Sequence, residues 1–333
     1  MKQLVLSLLS FLPLSLVAQT PSTIFDKLTA SEGVELTLEA DLTTFVGQKK
    51  TNNYLPGTLR TEDGQAYAVE VRPRGRYRRK QSQVPPMKLR FGENDLRAEN
   101  LDTLNEIKIA LPYIFTDLGN ELIVKEYLAY RMFEKLSPGF FRAGLVKLSL
   151  KDTNEKGFGT KKVLAIFVED EEEVAGRLNS EPEEEFGIPL TQYDQEQVAL
   201  VVLFQYFIGN TDWDFSMHRN VQLFRKKDSG KVFVVPYDFD FSGLVSAPYA
   251  SPASDSGVKT VRDRSLMAAG VEASAMKSAV KILKEKEKEL YQICRSKHLN
   301  SDTENRLMHF MEIYFGEMKG KEEPPKTLLF KEN

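Results

Sequence analysis

Residues 195–243 decide how this chain reads. They open as Gln195-Glu196-Gln197-Val198-Ala199-Leu200-Val201-Val202-Leu203-Phe204-Gln205-Tyr206-Phe207-Ile208. They continue as Gly209-Asn210-Thr211-Asp212-Trp213-Asp214-Phe215-Ser216-Met217-His218-Arg219-Asn220. They end, past a hairpin, as Pro236-Tyr237-Asp238-Phe239-Asp240-Phe241-Ser242-Gly243. The first piece is apolar all round and predicts a core helix, stopped by the C-cap pair Gly209-Asn210. Strands at 221–224 and 231–235 flank the turn Lys226-Lys227-Asp228-Ser229-Gly230, which is hairpin chemistry. Pairing them sets Asn220 beside Asp238, so Asp212, Asp214, Asn220, Asp238 and Asp240 can converge. Oxygen donors of this kind suit Mg²⁺ or Mn²⁺, and such a cation needs a negatively charged substrate, typically a phosphate. The plainer alternative is that these Asp and Asn residues cap and turn the chain.

Working outward, the first half reads as strands. Val34, Leu36, Leu38 and Ala40 alternate with polar residues, the period of a half-buried strand. Further strands are expected at 66–71, 87–91, 107–111, 144–151 and 162–168, with a helix of broad apolar face at 118–136. The run Glu169 to Glu173 suits a solvated helix start. Residues 243–257 read as a loop, and amphipathic helices are expected at 273–296 and 302–318. Arg72, Arg74, Arg76 and Arg78 would share one face of an extended strand. Such a face is either an anion site, because guanidinium suits phosphate and carboxylate, or a charge-protected edge.

Composition narrows the field. Among 333 residues, 41% are hydrophobic and 28% charged, with a net charge of −3. These values exclude a wholly disordered chain and a polytopic membrane protein, and no nucleic-acid partner is expected without a basic excess. The single cysteine, Cys294, excludes an internal disulfide and cysteine-based zinc or iron–sulfur ligation, and it reads as a small buried hydrophobe. His218 is read as a loop-ordering hydrogen bonder, and Trp213 as a core wedge. Neither a Gly-x-Ser-x-Gly elbow nor a His-Glu-x-x-His motif occurs. Residues 1–18 read as a secretory leader: a basic start, then an apolar run short for a span. The mature protein is expected to be exported, to the periplasm or beyond, without a transmembrane span.

A core helix, an Asp-bearing loop ending in Asn, a hairpin and then Asp-Phe resembles the catalytic half of protein-kinase-like folds. With Arg72-Pro73-Arg74-Gly75-Arg76 early, Lys88 on the following strand and Asp238-Phe239-Asp240 late, residues 71–243 resemble the spore-coat CotH-type atypical kinases. Arg76 stands where that family carries Asn. The resemblance implies an α+β, two-lobed kinase-like fold. Its β-rich N-terminal lobe, with one long helix, would span 19–170, and its mainly helical C-terminal lobe, with the acidic site, 171–333. Lys88 would hold nucleotide phosphates with Arg74 and Arg76, paired to Glu126 or Glu121. Asp212 or Asp214 would be the base, and Asn220, Asp238 and Asp240 would hold Mg²⁺ or Mn²⁺. ATP or another nucleotide would be the donor, and an envelope protein or glycan the acceptor. The alternative is a non-catalytic envelope protein using the same cleft to bind a glycan or protein partner.

Overall fold

The computed structural model describes residues 22–268 and 270–330; the leader expected at 1–18 lies outside the described residues. Thr23 caps a short helix α1 (Ile24–Leu28), and the alternating stretch forms β1 (Val34–Ala40). The chain then runs through α2 (Leu42–Gly47), β2 (Leu55–Thr61), β3 (Ala66–Pro73) and α3 (Tyr77–Gln81). It continues with β4 (Met87–Phe91), α4 (Glu93–Ala98), β5 (Glu106–Ala110), α5 (Asp117–Glu134), β6 (Ala143–Asp152) and β7 (Thr160–Val168).

These seven strands close into a barrel in the order β1-β2-β3-β4-β5-β7-β6. Every pairing is antiparallel except the closing one, in which β1 runs parallel to β6 with Val34 opposite Val146. Alternate residues such as Leu36, Val71, Leu89, Ile107, Leu148 and Phe167 fill the barrel. The expected two-lobed kinase-like arrangement is therefore overturned, while the α+β class stands. Two facts hide from the sequence pattern. Pro56-Gly57 breaks the signature of β2, since both residues are unfavourable inside a strand. The β1–β6 pairing, between strands far apart in sequence, turns an apparent open sheet into a closed one.

Helix α5 starts at Thr116, whose hydroxyl accepts from the Gly119 amide at 3.3 Å, and buries most of its length against a second core. That core continues through α6 (Glu171–Arg177), β8 (Ser180–Glu183), α7 (Gln195–Phe207), β9 (Val221–Lys226) and β10 (Val232–Pro236). The three strands form a small sheet in the order β10-β9-β8. A two-residue strand β11 (Arg264–Ser265) precedes α8 (Ala273–Glu285), α9 (Glu287–Ile293) and α10 (Ser301–Glu317), and β12 (Thr327–Leu328) pairs back onto β11. The single helix expected at 273–296 is two, broken at Lys286. No helix among the described residues is long and apolar enough to cross a membrane.

Candidate functional site

Helix α7 delivers the acidic loop and the hairpin β9–β10 returns the chain to it. Val221 lies opposite Pro236, and the Tyr237 amide donates to the Asn220 carbonyl at 3.0 Å. This places Asn220 and Asp238 at neighbouring feet of one hairpin. His218, Asn220 and Asp238 all have positive φ, at 48°, 54° and 62°. That conformation is uncommon for residues other than glycine, and Asn, Asp and His tolerate it best. Such backbone persists where the surroundings over-determine it.

The feet open onto a cleft of about 640 Å³ bounded on the far side by the β3–α3 turn. That turn corrects the extended arginine face. Strand β3 stops at Pro73, Gly75 takes φ of 85°, and 77–81 coil into α3. Arg72 stays in the strand and donates to the Tyr54 hydroxyl at 3.1 Å. Arg74 and Arg76 line the cleft, and neither makes a side-chain hydrogen bond or ion pair among the described residues. Arg79 is tied to the carbonyls of Lys49 and Thr51. Arg78 turns inward and is buried.

Arg78 is the hub of the site. It forms a two-pronged pair with Glu126 on α5 at 2.7 and 2.9 Å. It also contacts Asp238, and its Nε lies 3.2 Å from Asp240. Tyr249 donates to Asp240 at 3.0 Å, and the Asp238 amide donates to the Tyr130 hydroxyl at 2.9 Å. Three carboxyl groups thus face one guanidinium, with no second cation in contact among the described residues. Burial pushes Asp240 well above the usual carboxylate range against the pull of Arg78. Burial raises Glu126 in the same way.

Across the cleft, Asn220 donates from Nδ2 to the carbonyl of Asp212 at 2.6 Å and to its Oδ2 at 3.0 Å. Arg219 lies 3.6 Å from the other oxygen. Burial raises the Asp212 carboxyl, with Asp238 adding to it and Arg219 opposing. Asp214 has a different task. Its Oδ1 accepts from the Ser216 amide and hydroxyl, both at 2.7 Å, and from the Met217 amide at 3.0 Å. Burial works against it, but these donors hold the Asp214 carboxyl below its usual range. It staples the loop and does not line the cleft.

Two further expected residues sit elsewhere. Lys88 is buried, bonds Glu106 and lies 3.5 Å from Asp170, away from the cleft lining. Its implied pairing with Glu126 is not formed, because Arg78 occupies Glu126. Glu121 faces Lys125 at 3.4 Å instead. His218 orders the rim: Nε2 lies 3.0 Å from the Glu185 carbonyl, and its ring stacks on Phe186 at 4.4 Å. Trp213 and Cys294 are buried. Asp212, Asn220, Asp238 and Asp240 all border one cleft, Asp240 as a buried residue held on Arg78. No three His, Cys, Asp or Glu side chains among the described residues group as a ready-made metal cage. Sequence reasoning missed the hub role of Arg78 and the contributions of Tyr130 and Tyr249. Gly75, two residues after a strand proline, is the one signal of the turn that creates the hub.

No protein-family model matches the chain, and no curated protein matches it.

Proposed function

We propose that the cleft binds a phosphate ester, such as a nucleoside triphosphate, together with Mg²⁺ or Mn²⁺, and transfers a phosphoryl or nucleotidyl group to an acceptor hydroxyl. One observation carries this reading: two guanidinium groups without a hydrogen-bond or ion-pair partner among the described residues, Arg74 and Arg76, border the same cleft as Asp212, Asn220 and Asp238. Exposed arginines in a concave site suit phosphate oxygens. The cleft volume lies within the usual range for a small-molecule site. Mg²⁺ commonly takes only one or two protein carboxylates and completes its shell from waters and substrate phosphates. Asp238 and Asn220 would hold the cation, which would also neutralise phosphate oxygens.

Asp212 would accept the acceptor's hydroxyl proton, with Asn220 hydrogen-bonded to its carboxylate. In the transfer, the acceptor oxygen bonds to phosphorus and the bond to the donor's leaving oxygen breaks. The proton passes to Asp212 and then to solvent. The leader read at 1–18 supports an acceptor in the envelope or outside the cell, either protein or glycan. The engagement of Asp238 and Asp240 by Arg78 favours a second reading, a binding site that does not turn over.

Thermal unfolding with Mg²⁺ or Mn²⁺ and ATP, repeated on Asp238→Ala and Arg74→Ala, tests binding. Label transfer from [γ-³²P]- and [α-³²P]-ATP tests chemistry. A metal-dependent nucleotide shift lost in both variants, with label transfer lost in Asp212→Asn, supports the enzyme. A shift without transfer supports the binding reading. No shift with either metal defeats both.

A further inference from the structure

Arg264, on β11, is fully buried at 0% exposure, and it has no carboxylate in ion-pair contact among the described residues. Its Nε donates to the Phe207 carbonyl at 2.9 Å and its Nη2 to the Phe310 carbonyl at 2.7 Å. Its guanidinium lies over the Phe310 ring at 3.9 Å. Phe207 ends α7, so its carbonyl has no partner within the helix, and the helix dipole there offsets part of the positive charge. The neighbouring Asp263 carboxylate is already engaged by Thr260 and by the Phe330 amide.

Three donors remain. Nη1 of Arg264 and the hydroxyls of Tyr206 and Tyr314 are buried without a hydrogen-bond partner among the described residues. The rings of Tyr206 and Tyr314 pack edge to face at 6.1 Å, and Tyr314 also lies 6.0 Å from the guanidinium. Both tyrosines are essentially sealed, at 1% and 0% exposure. Burial keeps both phenols protonated, and hence donors. Leaving these three buried donors without an acceptor is costly, and a small anion within reach of all three would supply one.

We propose that Arg264, Tyr206 and Tyr314 form a buried site for a chloride-type monatomic anion, which seats β11 and α10 against the end of α7. The site lies apart from the cleft and does not depend on the activity proposed for it.

The experiment measures the melting temperature of the purified protein at constant ionic strength while sodium chloride is replaced stepwise by sodium gluconate. Crystals are soaked in bromide in parallel. The expected result is a melting temperature that falls by several degrees as chloride is withdrawn, with anomalous bromide density beside Arg264. Tyr206→Phe and Tyr314→Phe keep the rings and should each weaken the anion about tenfold. Arg264→Gln should abolish the dependence, whereas Arg74→Ala and Arg76→Ala should leave it unchanged. Two outcomes overturn the proposal: no chloride dependence together with no bromide density, or a dependence that survives both Tyr206→Phe and Arg264→Gln.

Discussion

Replacing Arg78 with Met removes the only cation among the described residues in contact with Glu126, Asp238 and Asp240. Breaking a buried ion pair on one side costs about 3–5 kcal/mol, and Glu126 and Asp240 are both nearly sealed from solvent. The orphaned carboxyls can escape by taking up protons. Burial already holds Glu126 and Asp240 above their ordinary range with Arg78 in place; its loss raises them further, so the variant binds more protons on folding and its stability rises more steeply as pH falls. Each proton taken up returns about 1.4 kcal/mol per pH unit. Between pH 7 and pH 5 the deficit should therefore shrink by about 2–3 kcal/mol. Urea unfolding followed by circular dichroism, on wild type and Arg78→Met at both pH values, reads this directly. Adding Glu126→Gln to the variant should recover part of the loss at pH 7. A deficit under about 1 kcal/mol, or one equal at pH 5 and pH 7, would refute the hub as described.

Three other outcomes are expected. Burial and the neighbouring Glu169 push Glu173 up to about 7, so the stability it contributes at low pH is lost as pH rises from its ordinary 4.5 through 7. Glu173→Gln should remove that slope in unfolding curves taken from pH 5 to pH 8. Asp212→Asn should lower transfer by about 10²–10⁴-fold, the usual worth of a general base, whereas Asp214→Asn keeps an oxygen for Ser216 and should leave rates within a few-fold. A methyl group on Gly243 would run into the Val261 carbonyl oxygen, so Gly243→Ala should cost about 1–3 kcal/mol in urea unfolding.

What the sequence showed clearly was local. The all-apolar α7 and the turn-rich link between β9 and β10 carry their own signatures, so the meeting of Asn220 and Asp238 at the hairpin feet was readable. Distant partnerships were not. Arg78 is one arginine among several in sequence, and only the Gly75 turn separates it from Arg74 and Arg76. Asp212 and Asp214 look alike two positions apart, yet one faces a cleft and the other accepts the amides of its own turn. Lys88 sits on the expected strand, but it stands opposite Lys108 in the register and its ammonium turns to Glu106. Barrel closure left no local mark, because β1 and β6 each alternate as any half-buried strand does.

That closure has a kinetic side. Strand β1 gains one neighbour, β2, soon after it forms, but its other edge waits for β6, with Val34 meeting Val146. Closing so long a loop delays the reward of the contact, and topologies dominated by such pairings fold slowly. Until residues 143–152 arrive, the β1 edge offers unpaired amides and carbonyls to any other chain. The barrel seam is thus the step at which this protein, as it folds, is most exposed to aggregation, and β6 is the segment that ends that exposure.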